Sequence, residues 1–168
     1  GDEYYNIFPV WDWNKVPGVT APEASTAIAT NWGEMGKSVF SGGVSDGQSG
    51  VMAFVLDDRG IKASKSWFFF EHEVVCLGAG INSGAGMRVT TCLNQCLLNG
   101  EVTTSAGKQI PSEKTDGPGQ ERKLTWVLHD SVLYYFPQPT EVCIYAGKQS
   151  GNWNQINYNY SAERLEKG

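Results

Sequence analysis

Nowhere in this chain do apolar residues recur at the 3.6-residue spacing by which a helix buries one face. They fall instead in short runs rich in Val, Phe, Tyr, Trp and Thr, each ended by Gly, Asn, Asp or Pro. The strand-like runs are Lys37–Gly43, Val51–Leu56, Ser64–Phe70, Glu73–Leu77, Met87–Leu97, Glu101–Ser105, Lys123–His129, Val132–Phe136 and Glu141–Tyr145. Turn signals roughly 8–12 residues apart point to a sandwich or a large antiparallel sheet, so the expected class is all-β and antiparallel. Asn99-Gly100 carries the sequence of a type I′ hairpin, and His129-Asp130-Ser131 and Asp57-Asp58-Arg59-Gly60 mark further reversals. Pro22–Thr30 is suited to a helical turn or two, with Thr20 as its cap. Trp67-Phe68-Phe69-Phe70 is expected to be a buried strand, Ile110–Arg122 an exposed loop, and Ser161–Gly168 a charged coil.

Length and charge narrow the function classes. With 168 residues the chain suits one domain that buries about 70 % of its unfolded surface. No apolar run approaches the roughly 20 residues that cross a bilayer as a helix. A net charge of −5 argues against nucleic acid, whose binding needs clustered Lys and Arg, and makes this chain alone a poor receptor for a polyanion. Cys76, Cys92, Cys96 and Cys143 follow no C-x-x-C spacing and have only two histidines for company, so they read as small buried hydrophobes, not a zinc site. No cofactor is expected. Calcium is the one ion with candidate ligands, the loop carboxylates Asp57, Asp58 and Asp116.

Each cluster of chemically able residues has a plainer reading. Gly33–Ser38 (GEMGKS) has the tail of a phosphate loop, but Asn31 stands where the first glycine is required. In a strand, His72 points away from Glu71 and Glu73, so the three converge on a metal only if they occupy a turn. His129-Asp130 has the makings of an acid–base pair without a nucleophile motif beside it, and reads better as turn residues. Trp11-Asp12-Trp13, if extended, places both indoles on one face, where they either stack on sugar rings or bury against another layer. Asn14–Gly18 then reads as a turn, with Pro17-Gly18 fixing the reversal.

Several segments together resemble a known family. They are EYYNIFPVWDW (Glu3–Trp13) followed by KVPGVT (Lys15–Thr20), GKSVFSGGVSDG (Gly36–Gly47) and KSWFFFEHEVVCLGAGI (Lys65–Ile81). TTCLNQCLLNGEV (Thr90–Val102), TWVLHDSVLYYFP (Thr125–Pro137) and GNWNQIN (Gly151–Asn157) continue the pattern. In this order they resemble polysaccharide lyase family 8, whose members cut chondroitin, hyaluronan and xanthan. The resemblance implies an antiparallel β super-sandwich of the galactose mutarotase-like kind, with residues 1–168 forming part of the central domain. An N-terminal α/α toroid and a smaller C-terminal β domain are expected in the same protein, which the resemblance places outside the bacterial cell or in the periplasm.

The implied chemistry is β-elimination on a uronic-acid-containing glycosaminoglycan. In the family, the Asn, His, Tyr and Arg of the reaction lie in the toroid, and a Glu from the β domain holds that array in place. The spacing of Glu3 and Asn6 fits this Glu and a substrate-contacting Asn, with Trp11 and Trp13 as further substrate-binding residues. Two other classes stand beside this reading: a noncatalytic carbohydrate-binding module, and a purely structural support for a partner domain.

Overall fold

The computed structural model describes residues 7–23, 35–84, 86–107, 120–155 and 165–167. Among them are eleven strands and two single-turn 3₁₀ helices, and every strand pairing is antiparallel. The chain divides into two compact units, one of Asp12–Gln95 and one of Gly1–Trp11 with Cys96–Gly168.

The Asp12–Gln95 unit is built on a four-stranded meander, in the order β2 (Ser41–Ser45), β3 (Gly50–Asp58), β4 (Ile61–Phe69) and β5 (Val74–Ser83). Along β4 the side chains alternate: Ile61, Ala63 and Lys65 are buried, whereas Lys62 and Ser64 are exposed. A two-stranded ladder of β1 (Thr20–Pro22) and β6 (Val89–Thr91) completes the unit.

The other unit carries a three-stranded sheet in the order β7 (Thr103–Thr104), β8 (Gln120–His129) and β9 (Val132–Ile144). Its core is Val102, Leu124 and Val127, with Leu98, Tyr134, Phe136, Val142 and Ile144 packed around them. A short ladder joins β10 (Gln149–Gly151) to β11 (Leu165–Lys167). The first 3₁₀ turn, Phe8–Val10, starts with its proline in the first turn, where a missing N–H leaves no bond unmade.

Several expectations are corrected. The type I′ turns sit at Arg59-Gly60 and Asp130-Ser131, whose positive φ values (49° and 78°, 46° and 65°) close two-residue loops. Asn99-Gly100 makes no such hairpin: only Gly100 has positive φ, and the strands flanking it pair elsewhere. Thr20 caps no helix. It lies in β1 opposite Thr91, and the expected helical residues after Glu23 fall outside the described residues. Within the expected loop 110–122, Gln120–Arg122 pair with Val142–Ile144 as strand, and the remainder lies outside the described residues. Leu165–Lys167, expected as coil, is also strand because β10 supplies a partner.

The aromatic run is not buried as a block. Phe69 and Phe70 are 44 % and 45 % exposed, because they sit at the β4–β5 hairpin end, away from the buried stretch Ile61–Lys65. Cysteine burial also fails. Cys76, Cys96 and Cys143 are exposed and Cys92 half-buried, and no disulfide joins the four. Cys76 lies on the outer strand of the meander and Cys143 on the outer strand of its sheet, where one flank has no ladder neighbour in that sheet.

Candidate functional site

Glu3 and Asn6 lie outside the described residues. The segment that follows them is held by a set of side chains that no motif reveals. Within the unit of Gly1–Trp11 and Cys96–Gly168, the Phe8 and Trp11 rings stack with centroids 5.4 Å apart and planes 27° from parallel. Within the Asp12–Gln95 unit, the chain turns at once. The Lys15 amide donates to Asp12 O (2.9 Å), and the Asn14 amide donates to Asp12 Oδ1 (3.0 Å). Trp11 itself is extended (φ −70°, ψ 140°), as expected from the sequence, but Trp13 and Asn14 lie inside a turn closed by Asp12, as aspartate side chains readily do. Trp13 sits in the turn, 45 % exposed, and Trp11 is half-buried.

Gln95 fixes this turn. Its Oε1 accepts from the Asp12 amide (2.8 Å), while its Nε2 donates to Asp12 O (3.1 Å) and Lys15 O (3.0 Å). One side chain thus bonds three backbone groups of this turn, including the Asp12 carbonyl that already accepts from Lys15. Further along, the Gly18 amide donates to Cys92 O (2.8 Å) and the Cys92 amide to Val19 O (3.0 Å), leading into the β1–β6 ladder.

Lys65 ties this strap to the meander. Its Nζ donates to Gly18 O and to Thr20 Oγ1 (2.9 Å), and Thr20 Oγ1 also meets Thr91 Oγ1 at 2.8 Å. The ammonium lies 5.4 Å from the Trp67 ring centroid, within cation–π range. Burial pushes the Lys65 amine below its ordinary value, against a smaller opposing pull from the negative charge Cys76 carries when ionised. The strand alternation that buries Ile61 and Ala63 buries Lys65 as well, so period two was the signal for it. Gln95 had no such signal.

The remaining candidates separate. Glu71, His72 and Glu73 occupy the turn between β4 and β5, as a metal reading would need. There Glu71 and His72 side chains are 87 % and 82 % exposed and 3.8 Å apart. Among the described residues, no group of three His, Cys, Asp or Glu side chains is placed to hold a metal. Asp57 pairs with Lys62 and Asp58 with Arg59, each at 3.4 Å, while Asp116 lies outside the described residues. His129 closes β8 and is 9 % exposed. Its Nδ1 faces Cys96 Sγ at 3.7 Å, whereas Asp130 accepts from Asn99 Nδ2 (3.3 Å). The structure thus brings His129 to a thiol and directs Asp130 to a different partner.

This arrangement of antiparallel meanders has a known counterpart. The description of polysaccharide lyase family 8, super-sandwich domain, matches residues 1–167, and the chain belongs to that family. Over 167 residues it is 46 % identical to the chondroitinase AC of Pedobacter heparinus, covering 98 % of this chain and 24 % of that protein. It is 25 % identical to a hyaluronate lyase of Enterococcus faecalis over 95 % of this chain and 18 % of the relative. A xanthan lyase of a Bacillus species is 33 % identical over 58 % of this chain and 11 % of the relative. A solved structure of chondroitinase AC lyase superposes with a TM-score of 0.86 at 45 % identity, covering 99 % of this chain and 25 % of that one. The chain spans about a quarter of the length of chondroitinase AC.

Proposed function

We propose that this chain is part of the central β domain of a lyase that cleaves uronic-acid-containing glycosaminoglycan, of the chondroitin or hyaluronan type, by β-elimination. The observation that carries this reading is the 46 % identity to a chondroitinase AC across 98 % of the chain. In the proposed reaction a base removes the proton from C5 of the uronate, and the 4-oxygen leaves to give an unsaturated sugar. That proton is weakly acidic, so a neutral hydrogen-bond donor must stabilise the charge that spreads into the neighbouring carboxylate. The base, that donor and the proton donor are assigned to an α/α toroid in the same protein. This chain supplies Glu3, which holds the toroid's catalytic array, and Asn6, Trp11 and Trp13 at the substrate.

The net charge of −5 supports this division of labour, because a polyanion needs cations that these 168 residues do not supply in excess. The exposed indole of Trp13 supports a sugar-stacking role, and the Gln95 and Lys65 contacts hold its segment in place. A bacterial protein acting on such polymers works in the periplasm or outside the cell, which is the location proposed here. A second reading, a noncatalytic carbohydrate-binding or structural β module, draws on the described residues alone, which contain no base, donor and cation gathered at one point.

The test follows the ultraviolet absorbance of unsaturated uronate. Full-length protein should generate it from chondroitin or hyaluronan, and the isolated chain should not, since such catalytic groups act as a unit. Glu3→Gln in the full-length protein should lower kcat far more than it raises KM. No product from full-length protein on any uronate polymer would sink the lyase reading, and unaltered turnover in Glu3→Gln would remove Glu3 from it. Saccharide binding followed by Trp fluorescence without any product would favour the binding module.

A further inference from the structure

We propose that Cys96 is a nucleophilic thiol, held ready by His129, that forms mixed disulfides with small-molecule disulfides. Two features in one unit meet here. The Cys96 side chain is exposed, so a reagent can reach its sulfur, and His129 Nδ1 stands 3.7 Å from that sulfur. His129 itself is 9 % exposed, and its Nε2 is buried with no hydrogen-bond partner among the described residues.

That orphaned nitrogen decides where the imidazole proton sits. A neutral imidazole carries one N–H and one lone pair. A buried N–H without an acceptor costs about 1–3 kcal/mol, and orphaned donors are rarer than orphaned acceptors. The favoured tautomer therefore leaves Nε2 bare and puts the proton on Nδ1, pointing at Sγ. A sulfur that receives an N–H is favoured as thiolate, the form that attacks disulfides. The imidazole is held in this role by position: it ends β8, pairs with Val132, and is followed by the left-handed Asp130-Ser131 turn. Burial pushes the half-buried Cys92 thiol up, so that cysteine is a weak competitor.

The step balances without a further reactant. Cys96 gives its thiol proton to water. Its thiolate then attacks one sulfur of the disulfide, an S–S bond forms as another breaks, and the departing thiolate takes a proton from solvent. Oxidised glutathione is a suitable probe, with site-resolved mass spectrometry of the intact chain at neutral pH. Cys96 should acquire glutathione about tenfold faster than Cys76 or Cys143. In His129→Leu that advantage should vanish while the circular dichroism stays that of the wild type. Equal rates at Cys96 and Cys76 in the wild type would overturn the proposal, as would an undiminished advantage in a folded His129→Leu. Should the variant not fold, the wild-type ratio decides alone.

Discussion

Leu124→Ala offers the most direct test of the three-stranded unit's interior. Leu124 is 1 % exposed and lies on β8, the middle strand, opposite Thr140 of β9. Truncation to alanine removes about three methylene equivalents at about 0.8 kcal/mol each, or about 2.4 kcal/mol of transfer free energy. A side chain this deeply buried leaves a site that collapses only in part, and a residual void of about 60 Å³ at about 24 cal/mol per Å³ adds about 1.4 kcal/mol. The expected loss is therefore about 3–4 kcal/mol. The control is Leu133→Ala, on β9 in the same hairpin but 58 % exposed, which should cost below about 1 kcal/mol. Urea unfolding of both variants, followed by Trp fluorescence and by circular dichroism, reads the two values. A difference below about 1 kcal/mol between them would refute the placement of Leu124 at the centre of this core.

Two other perturbations test a turn and a buried cation. Ser131→Gly should stabilise the β8–β9 hairpin by about 0.5–1 kcal/mol, because Ser131 holds φ of 65° at a type I′ position where Asp-Gly is the favoured pair; a lower melting temperature would contradict the turn assignment. Lys65 gives a pH dependence. Its folded-state value is lowered from 10.5 by burial, so just below pH 10.5 the unfolded chain binds more protons than the folded one, and this residue makes stability rise with pH through that window. Lys65→Met should flatten the rise, as read from melting temperatures on the alkaline side; an equal rise in both proteins would exclude Lys65 as its source.

How much of this was legible in the sequence depends on whether the determining contact was local. The β3–β4 and β8–β9 hairpins announced themselves through turn residues next to their strands, and both reversals fall where those residues placed them. The long β9 did not, because Pro137 and Pro139 split it into two runs on paper. In the ladder, Trp126 faces Tyr135 and Leu124 faces Thr140, so residues 136–139 bulge out opposite a single residue. Prolines in a bulge on an outer strand owe no N–H to a neighbour, and the strand continues past them. Residues 87–97 failed in the opposite sense. Their composition suits a strand, yet only Val89–Thr91 pair, and Gln95 spends its amide on a turn 83 positions earlier in the chain. No local pattern carries information about such a partner. The family resemblance reached further than periodicity, because matched segments in order encode long-range pairings that a single window cannot.

The strand order also sets a timetable for folding. The meander β2–β5 is made wholly of neighbours in sequence, so its contacts need little chain to be brought together. The β1–β6 ladder must close a loop from Thr20 to Thr91 around that meander, and the other unit is discontinuous, with Asp12–Gln95 inserted in its sequence. Loop closure costs more entropy as the span grows, and long-range pairs are the slower ones to form. On a growing chain, the meander can assemble as soon as Ser83 has emerged, while Phe8–Val10 waits for Gln149–Gly151 and Leu165–Lys167, against which it packs. Pulsed hydrogen exchange during refolding should accordingly protect the Val51–Phe69 amides before those of Thr20 and Thr91, and the reverse order would mean that the strap nucleates the meander. Such a schedule leaves Phe8–Val10 open to proteolysis for longer than the meander that follows it in sequence.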